Sequence, residues 1–170
     1  MIRAVVVMGV SGAGKSTLGK ALAEALGWAF IEGDALHPPA NIAKMSAGLP
    51  LSDDDRRPFL EAVADAIAAQ RKAGVVAACS ALKRSYRDLI RSRAGEVAFV
   101  LPELTREQLL PRMTARTGHF MPASLLDSQL ADLEPPGRDE LAVRVDGTAE
   151  LAAQVDQAVA GLRALTAAGS

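Results

Sequence analysis

Residues Gly9 to Ser16 read G-V-S-G-A-G-K-S, and the spacing G-x-x-x-x-G-K-S with its flanks decides the fold. Upstream, Ile2 to Met8 is a β-branched apolar run with the character of a buried strand, and downstream Thr17 to Leu26 is a helical stretch closed by Gly27. Strand, glycine loop and helix in that order form a phosphate-binding unit. The glycines let backbone N–H groups turn inward around an anion, and the helix N-terminus adds its partial positive charge. Gly9, Val10, Ser11, Gly12, Ala13, Gly14, Lys15, Ser16 and Thr17 are therefore the expected nucleotide-binding residues. Lys15 is expected to reach the β- and γ-phosphates and Ser16 to hold Mg²⁺, with ATP as the nucleotide.

The bulk properties bound the rest. A chain of 170 residues predicts a single domain spanning 1–170. It is 49% hydrophobic and 23% charged with a net charge of −1, so no basic field points to nucleic acid or an anionic membrane. The single cysteine excludes an internal disulfide framework and fits a reducing cytoplasm. No apolar run approaches the roughly 20 residues a membrane span needs. The first strand leads directly into the phosphate loop, so a cleaved leader there would destroy the site; a cytoplasmic location is expected.

Further strands are predicted at Ala29–Glu32, Val75–Cys79, Val97–Leu101 and Leu141–Val145, separated by longer helical patterns. This alternation predicts a five-stranded parallel sheet with helices on both faces, and ligands at the carboxyl ends of its strands. Two excursions interrupt the pattern. The first covers about 34–73, with a short helix after Pro38 and Pro39 and a longer one capped by Ser52. The second covers about 112–136, with a helix from Pro122 to Leu133 and the stop Glu134-Pro135-Pro136-Gly137. Thr105 and Gln108 resemble a capping box for the helix leading into it, which Pro111 is expected to kink. Thr148 to Leu165 reads as an alanine-rich closing helix.

A phosphate loop serves kinases, switches and binding modules alike. No N-K-x-D sequence occurs, so the guanine-reading element of common GTPase switches is missing. The two excursions sit where a small-molecule kinase places a substrate flap and a lid that excludes water. Arg112 and Arg116 are four residues apart, so on a helix they face a common anion and are expected to contact the nucleotide, with Arg116 also catalytic.

Several longer blocks carry a more specific likeness: M-G-V-S-G-A-G-K-S (Met8 to Ser16), G-D-A-L-H-P (Gly33 to Pro38), N-I-A-K-M (Asn41 to Met45), G-L-P-L-S-D-D-D-R-R-P-F-L (Gly48 to Leu60), C-S-A-L-K-R-S-Y-R-D (Cys79 to Asp88), R-T-G-H-F (Arg116 to Phe120) and L-E-P-P (Leu133 to Pro136). In these the chain resembles the bacterial-type gluconokinases of the phosphate-loop kinase superfamily. The resemblance implies a three-layer α/β kinase fold with a five-stranded parallel sheet, a flap and a lid. It also implies ATP- and Mg²⁺-dependent phosphorylation of D-gluconate at its 6-hydroxyl, and a possible homodimer. Phe59 stands where members of that family usually carry tryptophan, a change that keeps an aromatic packing residue.

Gluconate needs a cationic anchor, several hydrogen-bonding groups and a carboxylate beside the acceptor hydroxyl. Asp34 follows the second strand and is expected to orient or deprotonate that hydroxyl, directly or through the Mg²⁺ shell. With Lys15 and Arg116 it makes up the expected catalytic set. His37 and Arg56 are expected to contact the sugar acid, Arg56 gripping its carboxylate, with Asp54 and Asp55 holding Arg56 in place. Lys83 and Arg87, four apart after the third strand, are expected on one helical face aimed at the same pocket, and His119 joins the substrate-binding candidates. Cys79 reads as a packed thiol. The alternatives are a kinase for a shikimate-like or nucleoside monophosphate acceptor, and a non-catalytic ATP-binding module.

Overall fold

A computed structural model of the chain describes residues 1–114 and 123–169; Arg116 and His119 lie outside them. The strands are β1 (Ala4–Val7), β2 (Ala29–Glu32), β3 (Val75–Ala78), β4 (Ala98–Glu103) and β5 (Ala142–Asp146). Helices α1 (Lys15–Leu26), α2 (Pro39–Ser46), α3 (Asp53–Gln70), α4 (Arg84–Ala94), α5 (Arg106–Thr114), α6 (Ala123–Asp132) and α7 (Leu151–Ala168) connect and flank them. The strands form one parallel sheet in the order β2-β3-β1-β4-β5, so β1 is central. Among the described residues no helix is long and apolar enough to cross a membrane.

Alternation along each strand builds two apolar layers. Ala4, Val6 and Met8 face the layer formed with α3 and α4, which also takes Val75, Ala77 and Phe99. Val5 and Val7 face the opposite layer with Val76, Ala98 and Val100, covered by Leu18 and Leu22 of α1 and by Ala158 and Leu162 of α7. β1 and β3 are buried along their whole length, as a sheet covered on both faces requires. A third, smaller cluster lies beneath the phosphate loop, where Leu109 and Met113 of α5 and Leu126 of α6 pack on Val10 and Ala13.

Local chemistry sets the helix ends. Ser52 caps α3 by accepting from the Asp55 N–H at 3.1 Å, while the Asp55 carboxylate accepts from the Ser52 N–H at 2.9 Å. Thr105 and Gln108 form the same reciprocal pair before α5. Pro111 does not interrupt α5. It is exposed and removes one helical donor, while the buried Leu109 and Met113 hold the helix down.

One expectation fails clearly. Arg87 does not face the acceptor pocket; its side chain is 0% exposed. Lys83 is the N-cap of α4 with extended backbone, so the four-residue helical spacing does not place the two side chains on one face. Nε and Nη2 of Arg87 bind both oxygens of the buried Glu140, Nη1 donates to the Ala81 and Leu82 carbonyls, and Nη2 also donates to the Glu134 carbonyl. All five guanidinium donors are thereby committed, and none remains for a substrate. Arg87 instead ties the segment after α6 to α4 and fixes Ala81, which sits at φ 45° in the left-handed region.

Burial raises the proton affinity of Glu140, but Arg87, the Gly137 N–H and Arg91 outweigh it and hold its pKa at about 2, from a reference of 4.5. A depressed carboxyl stabilises the fold above the unfolded value and loses that contribution as pH falls through the folded one. Replacing Arg87 by Met should therefore destabilise the protein by about 3–5 kcal/mol near neutral pH, because the buried Glu140 carboxylate keeps only Arg91 and the Gly137 N–H, and the Ala81, Leu82 and Glu134 carbonyls lose their donor. In urea melts the deficit of Arg87→Met relative to wild type should shrink as pH is lowered from 4.5 toward 2. A pH-independent deficit would contradict this account.

Candidate active site

The phosphate loop extends the central strand. The Met8 N–H continues the ladder to the Val100 carbonyl at 2.9 Å, and the Gly9 N–H crosses to the Ser80 carbonyl at 3.0 Å. Gly14 then caps α1 in the left-handed region at φ 85°, a conformation that aims successive N–H groups inward. Gly12 also stands in the left-handed region, at φ 83°, and a Cβ there would lie 3.1 Å from Met113 Cγ, so α5 rests directly on the loop. Lys15 Nζ lies over the loop, donating to the Val10 carbonyl at 3.0 Å. Arg112 Nη2 donates to the Gly147 carbonyl at 3.1 Å, which sets this arginine between the phosphate loop and the loop after β5.

Beside the loop opens a cavity of about 670 Å³ whose wall includes Ser11, Asp34, His37, Arg56, Ser80 and Tyr86. Asp34 enters it from a 3₁₀ turn (Gly33–Leu36) that begins where β2 ends. Gly33 makes this possible, because a Cβ there would stand 2.1 Å from the Ala78 carbonyl oxygen of β3. Asp34 and Lys15 both act on the Cys79 thiol, Asp34 raising its pKa and Lys15 lowering it, which sets them near the same strand end. Burial is the larger effect and pushes Cys79 up to about 12, so this thiol is a packed one, as expected.

His37 stacks on Phe59, ring centroids 3.6 Å apart. The buried Asn41 amide nitrogen spans the Asp55 carbonyl at 2.8 Å and His37 Nδ1 at 3.2 Å. In that network Nδ1 accepts and a neutral ring carries its proton on Nε2. Burial lowers the His37 pKa, Asp34 opposes that shift and Arg56 adds to it, which keeps the ring neutral near pH 7.

Arg56 projects from the first turns of α3. Its Nη1 donates to Tyr86 Oη at 2.8 Å and lies 3.6 Å from Asp132 at the end of α6. Tyr86 in turn donates to Asp53 Oδ1, which also takes Lys83 Nζ at 3.1 Å. The expected partners of Arg56 are thus replaced: Asp55 pairs with Lys44 at 2.6 Å and closes the helix cap, and Tyr86 with Asp132 steadies the arginine. Lys83 sits one residue link further out, paired to Asp53.

Tyr86, Asp132, Ser80, Ser128 and Gln129 were not singled out by the sequence. Tyr86 is the sole tyrosine and lies within the C-S-A-L-K-R-S-Y-R-D block, a signal that could have found it. For Gln129 no local signal exists, since its partner Ser11 is 118 residues away.

A parallel sheet of this order with a phosphate loop after its central strand and a cavity beside that loop has the architecture of a phosphate-loop kinase. Residues 5–136 match the family model described as AAA domain. The chain is 55% identical over 147 residues to the gluconokinase of Gluconobacter oxydans (strain 621H), covering 85% of this chain and 83% of that protein. It is 44% identical over 165 residues to the thermosensitive gluconokinase of Escherichia coli (strain K12), covering 93% and 88%. The crystal structure of a gluconokinase from Sinorhizobium meliloti 1021 superposes with a TM-score of 0.87 at 55% identity, over 95% of this chain and 92% of that one. The chain belongs to the gluconokinase family of phosphate-loop kinases.

The close approach at Gly33 yields a test. Gly33→Ala should lower stability by about 1–3 kcal/mol in urea melts, as overpacking against backbone does. It should reduce turnover beyond what the lost folded fraction explains, because Asp34 shifts with it. Wild-type stability and turnover in this variant would contradict the packing account.

Proposed function

We propose that the protein transfers the γ-phosphoryl group of ATP to the 6-hydroxyl of D-gluconate, giving 6-phosphogluconate and ADP. The observation that carries this is the shared cavity: Ser11 of the phosphate loop faces the same space as Asp34, His37 and Arg56. Kinship with proteins named gluconokinases supports the acceptor.

In this reading residues 9–17 cradle the triphosphate, Lys15 leaves the Val10 carbonyl for the β- and γ-phosphates, and Arg112 lies against the nucleotide. Arg56 grips the gluconate carboxylate through its fork, which Tyr86 and Asp132 keep oriented. His37, neutral and stacked, offers hydrogen bonds to the chain hydroxyls. Asp34 orients the 6-hydroxyl and takes its proton as the new O–P bond forms; the bond to the bridging oxygen breaks and ADP departs. Arg116 is assigned to phosphoryl-charge neutralisation on its spacing from Arg112 and on the resemblance, His119 to substrate contact on the resemblance, and Lys83 to the outer rim of the acceptor site.

The donor set fits a Mg²⁺ ion. Among the described residues no group of three or more His, Cys, Asp or Glu side chains could hold a metal unaided. A single hydroxyl, from Ser16 in the first turn of α1, suits an ion completed by phosphate oxygens and water. When bound, that ion neutralises charge on the phosphates.

ADP release with Mg-ATP should rise strongly with D-gluconate and not with shikimate or a nucleoside monophosphate. Asp34→Asn should lower kcat by about 100-fold or more, the range for loss of a general base, while ATP affinity stays within about threefold. Stimulation by another acceptor alone would overturn the substrate, and near-normal turnover of Asp34→Asn would overturn its role.

A further inference from the structure

The phosphate loop is held from the acceptor side by a residue that none of the roles above uses. Gln129, on α6, accepts from the Ser11 backbone N–H through Oε1 at 2.7 Å and donates from Nε2 to Ser11 Oγ at 3.1 Å. Both residues line the cavity that holds Asp34. The pair has a chemical consequence. The Ser11 amide, one of the loop's inward-capable donors, is committed to the helix. The Ser11 hydroxyl uses a lone pair to accept from Gln129, so its own proton stays available to a further acceptor.

Docking of α6 does not require this contact. Leu126 is fully buried against the loop with Val10 and Ala13, and the segment after α6 is anchored by Arg87. Apolar packing and the buried arginine hold the helix in place, which leaves the two polar bonds to set the orientation of Ser11.

We propose that Ser11 Oγ–H is a hydrogen-bond donor to the phosphoryl group in transfer, and that Gln129 is the positioning residue that orients it. The γ-phosphoryl oxygens are the anion that the cavity edge of the loop would meet. A preorganised hydroxyl at that edge stabilises charge as the group moves toward the acceptor, without the reorganisation a mobile side chain needs. The proposal rests on the kinase reading above and adds a contact on the transferring group.

The test compares Ser11→Ala, Ser11→Thr, Gln129→Met and the Ser11→Ala/Gln129→Met double variant. Readouts are kcat, the KM for each substrate, thermal midpoint and ATP hydrolysis without acceptor. Ser11→Ala and Gln129→Met should each lower kcat about tenfold or more, as loss of a positioned donor does. KM for ATP and for gluconate should stay within about threefold, since the interaction is made in the transition state. The double variant should be no slower than the worse single one, because both changes remove one interaction. Ser11→Thr, which keeps the hydroxyl, should retain most of the activity.

Turnover of Gln129→Met within about twofold of wild type, or losses that multiply in the double variant, would overturn the coupling. Should Gln129→Met fail to fold, Ser11→Ala decides: wild-type kcat in that variant overturns the donor role. If the wild type ignores gluconate, the substrate reading fails and the Ser11–Gln129 pair is judged separately. In that case acceptor-free ATP hydrolysis should fall with the same non-additivity, and independent effects would reject the pair.

Discussion

The hydrogen bond from the Gly9 N–H to the Ser80 carbonyl, 3.0 Å long, makes the phosphate loop part of the sheet. Together with the Met8–Val100 bond it carries the β1 ladder beyond its last paired residues, so the loop starts in a position set by β3 and β4. The same strand, β3, positions the acceptor side. Glu32 pairs with Ala78, and Gly33 folds against the Ala78 carbonyl, so Asp34 leaves β2 at an offset fixed by backbone contact. Loop and carboxylate are thus referenced to one strand. A rigid sheet edge can hold reacting groups within the small tolerance that phosphoryl transfer demands.

Helices that border the cavity are attached differently. α6 rests on the loop through Leu126, and the chain leaving it is gripped by Arg87, whose pairing with Glu140 is buried. Such a pair adds little net stability over an apolar substitute, but breaking it is costly. It works here as a clasp at the root of the second excursion. Ala81, held at φ 45° beside it, carries a cost of roughly 1–2 kcal/mol for a left-handed residue, which the Arg87 bond to its carbonyl helps offset. The first excursion is clasped by the Asp55–Lys44 pair and by Asn41, which joins α2 to the start of α3.

Much of this was legible in the sequence because its causes are local. Glycine spacing, a β-branched run and a helix start specify the phosphate loop without reference to distant residues. Asp34 and His37 stand just past the end of a strand and Arg56 in the first turn of α3, positions readable from local pattern, and the cavity brings all three together. The four-residue spacing of Lys83 and Arg87 misleads because Lys83 is the N-cap, with ψ 148°, and its side chain goes to Asp53 while that of Arg87 goes to the buried Glu140. The partners of Arg56 are equally hidden from sequence spacing. Neighbours in sequence at a helix start turn to their own cap, as Asp55 does, and the arginine is left to residues from other helices. Gln129 was invisible because a glutamine on an amphipathic helix acquires meaning only through what it docks against.

The charge layout of the cavity favours one direction of substrate entry on the proposed reading. Arg56 supplies a cation and Asp34 an anion, and His37 feels both, with opposite effects on its proton affinity. A protonated imidazole there would compete with Arg56 for a substrate carboxylate and would pair with Asp34, removing it as a proton acceptor. Burial against Phe59 prevents this by disfavouring the charged ring. The neutral ring leaves the cavity polarised, cationic at Arg56, where the proposed reading seats the carboxylate, and anionic at Asp34, where it seats the reacting hydroxyl. A linear polyol acid entering in reverse would set its carboxylate against Asp34, close to a triphosphate that is itself strongly negative. Repulsion at that end and an unpaired arginine at the other both oppose the wrong orientation, so discrimination comes from penalties as much as from attraction.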